Sequence, residues 1–160
     1  MSGRYLEILS RQRPFPFNID EHGRVMFSCN YDAMAAEEIA TFEEDIVLLL
    51  TPLGLTTLGV DTFIGPAAVI PAGVGPFITI IDTGGAFRDE THNGDVYERL
   101  SCQIAVRARS FVCARERSLA IWRALSGLRN ITAGAPSTIV TEGGDTLVTE
   151  GGDTIVTEGG

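Results

Sequence analysis

VYERLSCQIAVRARS, residues 96–110, runs without a break into FVCARERSLAIWRALSGL, residues 111–128. In the first half the side chains alternate. Leu100, Cys102, Ile104, Val106 and Ala108 fall on one side, and Arg99, Ser101, Gln103, Arg107 and Arg109 on the other. A period of two marks a strand with one face buried. At Ser110 the period changes. Phe111, Ala114, Ser118, Ile121, Trp122, Leu125 and Leu128 recur at helical spacing, with Arg115, Arg117 and Arg123 opposite. A strand that hands its apolar face directly to a helix lets both share one core. Its other face is left for solvent or a neighbouring subunit.

The segments before this stretch supply partners for that strand. Phe77 to Asp82 is apolar on both faces apart from Thr79, which suits a central strand. Thr83 to Asp95 is a polar connection longer than hairpin geometry needs, with Gly84-Gly85 and Asn93-Gly94 inside it. Gly65 to Pro76 is rich in Gly, Pro and Ala, and Thr56 to Ile64 should hold a short strand. Ala35, Ile39, Phe42, Ile46, Leu49 and Leu50 form a helical stripe that Pro52 and Gly54 end. Asp32 can cap its start, while Thr41 with Glu44 makes a capping box that begins the helix at Phe42. Nearer the N-terminus, Arg4 to Gln12 reads as a strand with Tyr5, Glu7 and Leu9 on one side and Leu6 and Ile8 on the other. Pro14-Phe15-Pro16-Phe17 enforces extended chain, Asp20 to Gly23 reads as a turn, and Arg24 to Asn30 alternates as a second strand.

The expected fold class is therefore α+β. A mixed or mainly antiparallel sheet packs on helices near 33–50 and 111–128. An N-terminal strand pair, 1–32, adds to an edge of the core domain, 33–130. Residues 131–160 form a repeat tail. The octapeptide beginning Thr138-Ile-Val-Thr-Glu-Gly-Gly-Asp145 recurs from Thr146 and again from Thr154. Each unit offers a few strand formers and a Gly-Gly-Asp turn, so three small antiparallel strands fit. The period of eight and the missing glycine fail the calcium-binding nonapeptide pattern.

Composition narrows the chemistry. The chain has 160 residues, enough for one domain with a real core, and 44% hydrophobic content. Its net charge of -9 comes from 21 acids and 12 arginines with no lysine. That excludes a Gly-Lys-Ser/Thr phosphate loop and any Schiff-base lysine. An acidic chain is also a poor general nucleic-acid binder. Cys29, Cys102 and Cys113 lack CxxC spacing and read as buried free thiols. The first residues include Arg4 and Glu7 and no long apolar run, which does not read as a signal peptide. No apolar stretch approaches a membrane span.

Reaction chemistry is hard to assemble from these residues. His22 and His92 both fall in polar turns. Asp89, Glu90, His92 and Asp95 imitate a metal cluster but lack a second histidine or fixed helical spacing. Glu44 and Asp45 read as a solvated helix face, and no Gly-x-Ser-x-Gly elbow is present. The expectation is that no residue is catalytic, and that no cofactor or metal is bound. The polar feature of most interest is the row Arg99, Arg107 and Arg109. Paired with the loop residues Arg88, Asp89, Glu90 and His92 of a neighbouring copy, it makes the candidate interface.

The middle of the chain resembles a known family. Glu43-Glu44-Asp45-Ile46-Val47-Leu48-Leu49-Leu50 is followed by Thr62-Phe63-Ile64-Gly65, Ile70-Pro71 and Gly75-Pro76-Phe77-Ile78-Thr79-Ile80. Thr83-Gly84-Gly85 and Gln103-Ile104-Ala105-Val106-Arg107-Ala108 come next. In that order these segments resemble the phage tail-terminator family, often labelled minor capsid protein, over Phe42 to Asn130. The segment Tyr5 to Asn30 is similar to what such proteins carry after their last helix, so the order here looks circularly permuted. The resemblance implies a virion structural protein and no enzyme. It implies a hexameric ring of self-associated copies that caps the tail tube, touches the tube protein and joins a head-completion or neck protein. DNA would pass through without sequence-specific binding, no membrane would be involved, and assembly would occur in the host cytoplasm. Two alternatives stay open at this point. One is another neck or head-completion part; the other is a small α+β enzyme or ligand-binding domain.

Overall fold

The computed structural model describes residues 4–36, 42–85, 89–90, 96–133, 138–140 and 146–148. Three N-terminal strands, β1 (Arg4–Ser10), β2 (Phe15–Ile19) and β3 (Val25–Ala35), precede helix α1 (Phe42–Leu50). Strands β4 (Thr62–Ile64), β5 (Phe77–Asp82), β6 (Asp89–Glu90) and β7 (Val96–Ala108) follow. Helix α2 (Phe111–Leu125) leads to β8 (Leu128–Thr132), and β9 (Thr138–Val140) and β10 (Thr146–Val148) come last. The fold is α+β, as the alternation of periods implies. The main sheet runs β4-β5-β7-β3-β1-β8, with β2 also on β3 and β6 on β7. It is mixed, because β4 and β5 are parallel while β5, β7, β3, β1 and β8 pair antiparallel.

The longest pairing sets the rest. β3 and β7 run in register from Val25↔Ala108 to Ala35↔Glu98. This aligns Phe27, Cys29, Tyr31, Ala33 and Ala35 with Leu100, Cys102, Ile104, Val106 and Ala108 on one buried face. Both helices cover that face: α2 lies over β3, β7 and β1, and α1 over β5 and β4. Ile46, Leu50, Ile121 and Leu125 close the core against Ile78 and Ile80. None of the helices is long and apolar enough to cross a membrane, among the described residues.

Several expectations change. β3 does not stop at Asn30 but continues to Ala35, so Asp32 caps no helix, and α1 begins at Phe42. Alanine favours helix, but burying Ala33 and Ala35 in a continuous ladder outweighs that small preference. The N-terminal pair does not sit at an edge, because β3 lies between β7 and β1. In β1 the alternation breaks at a bulge between Tyr5 and Glu7, which turns Tyr5 and Ile8 together into the core. The last helix ends at Leu125, where Gly127, at φ 82°, turns the chain and Leu128 starts β8 instead. Helix α2 starts where the period changes, and Ser110 caps it, its side chain accepting from the Cys113 N–H. Phe111 and Trp122 leave the buried stripe. Phe111 is exposed, and Trp122 is half-buried with its indole N–H 2.7 Å from Ser10 Oγ. The repeat tail forms one described ribbon, β9 with β10 antiparallel, pairing Ile139 with Leu147; its third unit lies outside the described residues.

Asp45 also departs from its expected place. It is 1% exposed, not solvated, and Tyr5 Oη donates to its Oδ2 at 2.5 Å. Burial, reinforced by the neighbouring Asp45 carboxylate, pushes the Tyr5 phenol well above its ordinary range, which keeps it a donor. Taking one hydrogen-bond donor from a buried carboxyl group is costly. We expect Tyr5→Phe to lower stability by about 1–3 kcal/mol with an unchanged denaturant slope. Urea unfolding followed by circular dichroism measures both; an unmoved midpoint would show that the bond contributes nothing.

Candidate functional site: the helix-free face of the sheet

Alternation that buries one face of β3 and β7 under the helices sets the remaining side chains on a second face, where Ser28, Thr79 and Ala105 are themselves buried. Ser28, Asn30 and Asp32 of β3 stand opposite Ala105, Gln103 and Ser101 of β7, and Phe77, Thr79 and Ile81 of β5 continue the row. The centre is a polar network. Gln103 Nε2 donates to Ser28 Oγ at 2.8 Å. Ser101 Oγ donates to Asp32 Oδ1 at 2.7 Å, and Arg11 Nε to Asp32 Oδ2 at 2.6 Å. Burial works to raise the Asp32 carboxyl, but the hydrogen bonds from Arg11 and Ser101 and the Arg11 charge prevail, so its pKa is lowered.

Two adjoining hollows share Arg11 and Ser101. One, about 270 Å³, is lined by Glu7, Leu9, Met34 and Arg99 among others. The second, about 540 Å³, reaches Asn30, Gln103 and the Thr83-Gly84-Gly85 backbone. Both are open hollows, and of their lining side chains Arg11, Asp32 and Ser101 are bonded to one another.

The other end of this face carries a latch. Arg24 Nε bonds Asp20 Oδ2 at 2.6 Å, and its Nη1 donates to Ala72 O at 2.7 Å and Gly73 O at 3.3 Å. Arg107 Nη2 donates to the next carbonyl along, Pro71 O, and the guanidinium sits 5.5 Å above the Phe77 ring. Two arginines thus hold three successive carbonyls of the loop between β4 and β5. Gly75 lies at φ 73°, where an added Cβ would meet Arg107 O and Phe77 N at 2.8 Å. Burial lowers the Arg107 pKa, as does the Arg24 charge.

The predicted interface residues therefore separate. Arg99 lines the first hollow at one end of β7. Arg107 is eight residues away, about 26 Å along the strand. Its guanidinium is engaged within the chain, so it is a latch and no longer an interface cation. Arg109 lies past the strand, exposed, its backbone N–H on Val74 O at 3.1 Å. The backbone of Asp89 and Glu90 pairs with Tyr97 and Val96, beside Arg99. Arg88 and His92 lie outside the described residues. Of the network residues, Ser101 lies on the face that alternation gives it, whereas Asp32 falls outside a strand that stops at Asn30; extending that alternation by one step places Asp32 on the polar face.

Cys29 and Cys102 are buried free thiols, and burial pushes both above their ordinary range, away from reactive thiolate. Cys113 is free and half-buried. His22 is exposed in its predicted turn, 3.5 Å from Glu21. No group of three His, Cys, Asp or Glu able to hold a metal occurs among the described residues.

Two expectations test the latch. Removing the Arg107 side chain as Arg107→Ala frees the loop at 66–76, and limited proteolysis should cut there several-fold faster than in the parent; equal rates would mean the contact holds nothing. Asp20 has its carboxyl lowered: burial opposes this, but N–H and guanidinium donors from Arg24 and the His22 N–H prevail. A depressed folded pKa adds stability above the ordinary carboxylate value near 4, lost as pH falls below it. Asp20→Asn should therefore lower the urea midpoint at neutral pH, with the gap closing between about pH 4 and pH 2. A gap that persists in acid would show that charge is not its origin.

No protein-family model, curated protein or solved structure matches this chain.

Proposed function

We propose that this chain is a ring-forming structural protein of a phage tail, a terminator that caps the tail tube and presents a surface for head joining. One observation carries the reading: the placement of the apparently permuted block. β1 pairs directly with β8, Arg4↔Thr132 through Ile8↔Leu128, and the Gly127 N–H bonds Ile8 O at 2.9 Å. The N-terminal segment that the resemblance expects after the last helix therefore lies against the strand that follows that helix. A change in chain order then leaves the packing intact.

The resembling segments also gather in space. Most of them form α1, β4, β5 and the second half of β7; β4-β5-β7 are successive neighbours, with α1 over β5 and β4. Action by binding fits a sheet face rich in paired polar groups and sheet edges at β2, β4 and β8 that carry no further strand among the described residues. The role follows physically. A closed ring seated on the growing end of a tube covers the surface that would take the next subunit, and offers a different surface above.

The test is electron microscopy of the purified protein, with its mass from light scattering. Rings of about six copies are expected, and their addition to polymerising tail-tube protein should shorten the tubes and leave density at one end. A monomer that leaves tube length unchanged would overturn the reading.

A further inference from the structure

We propose that the Arg24–Arg107 pair beside the start of β5 is a binding site for a carboxylate, and that the loop carbonyls now held there keep the place of that ligand. This is independent of the ring reading above.

A guanidinium is a fork of donors. Its Nε and Nη2 lie side by side along one edge, which matches the two oxygens of a carboxylate. In Arg107 one limb of that edge is met: Nη2 donates to Pro71 O, and a carbonyl has a single oxygen to offer. The other limb, Nε, is buried and has no hydrogen-bond partner. Among the described residues, Ser118 Oγ is the one other buried side-chain nitrogen or oxygen in that condition. The Phe77 ring, with its centroid 5.5 Å from the guanidinium carbon, holds the fork in place and supplies no oxygen. Buried donors are nearly always paired, and an unmet one marks a place where a water or an ion belongs.

Charge favours the ion. The charges that bear on Arg107 are those of Arg24 and Asp20. Asp20 is already engaged: its Oδ1 accepts from the His22 and Arg24 N–H groups, and its Oδ2 from Arg24 Nε. Arg107 makes no ion pair among the described residues. Arg24 turns its Nη1 on neutral acceptors as well, Ala72 O and Gly73 O. Two guanidiniums and one carboxylate leave one positive charge under neutral carbonyls, in a chain of net charge -9. A half-buried cation without a counter-charge is costly, and a monoanion offsets it. A phosphate dianion would exceed that charge and meet Asp20.

The route in is short. Pro71, Ala72, Gly73 and Val74 are all exposed, so one layer of chain covers the pair. A carboxylate entering there takes Nη2 from the Pro71 carbonyl and fills Nε as well. Two charge-assisted bonds then replace one to a neutral oxygen. Binding therefore releases the loop from Arg107.

Nitrogen-15 NMR tests this, because each arginine Nε–H gives its own signal. The Arg107 signal is the one missing from the spectrum of Arg107→Lys. Sodium acetate, set against sodium chloride at equal ionic strength, should move that signal saturably, and trypsin-independent proteases should cut the loop at 66–76 faster in acetate. Arg107→Lys keeps the charge without the fork and should lose the faster cleavage, circular dichroism showing that it is folded. Asp20→Asn removes the one carboxylate of the cluster and should tighten acetate binding several-fold; equal or weaker binding would overturn the charge argument. Acetyl-Thr-Glu-Gly-Gly-amide, with glutamate as its one carboxylate, is the second probe. Binding about ten-fold tighter than acetate assigns the ligand to a protein segment, and binding no tighter assigns it to a small acid; either supports a carboxylate site. An Arg107 signal that stays in place in acetate, or that moves equally in chloride, or moves in phosphate alone, would overturn the proposal.

Discussion

The register between β3 and β7 is the constraint on which the other features depend. Eleven paired positions, Val25 to Ala35 against Ala108 to Glu98, commit every side chain of both strands to one face or the other. A slip of one residue would expose Tyr31 and Ile104 and bury Asp32 and Gln103. The two helices need that buried face, and the polar network needs the opposite one. The ladder also brings the N-terminal strands into the interior of the sheet, where β1 can reach β8.

The two faces then take different parts. The helix side is closed by Ile46, Leu50, Ile121 and Leu125, with Tyr5 and Asp45 as one polar pair inside it. The open side carries the Arg11–Asp32–Ser101 network at one end and the Arg24–Arg107 latch at the other. Long arginine side chains serve here as internal straps over backbone carbonyls, which the fork of guanidinium donors suits better than a lysine would. In a chain with no lysine, counting arginines says little about which of them are available to a partner.

Much of the candidate surface was legible before folding. Alternation in 96–110 assigned Arg99, Ser101, Gln103 and Arg107 to one face, and they lie there. What alternation could not supply was distance and occupancy. Arg99 and Arg107 share a face yet sit at opposite ends of it, and Arg107 is drawn inward by Pro71 and Phe77, far away in sequence. Asp45 follows the same logic. It precedes a buried Ile46 on a short helix, and only the bulge in β1 brings Tyr5 over it.

By itself the sequence determined the α+β class, the type of most elements and the buried face of β7. Those follow from local periodicity and composition, which need no knowledge of neighbours. Only the tertiary structure decided that Asp32 to Ala35 is strand, that β3 is central, that Asp45 is buried and that Arg107 is a latch. Each of those depends on a partner distant in sequence, and the free energy of pairing or burying such residues exceeds the few tenths of a kcal/mol that local preference contributes.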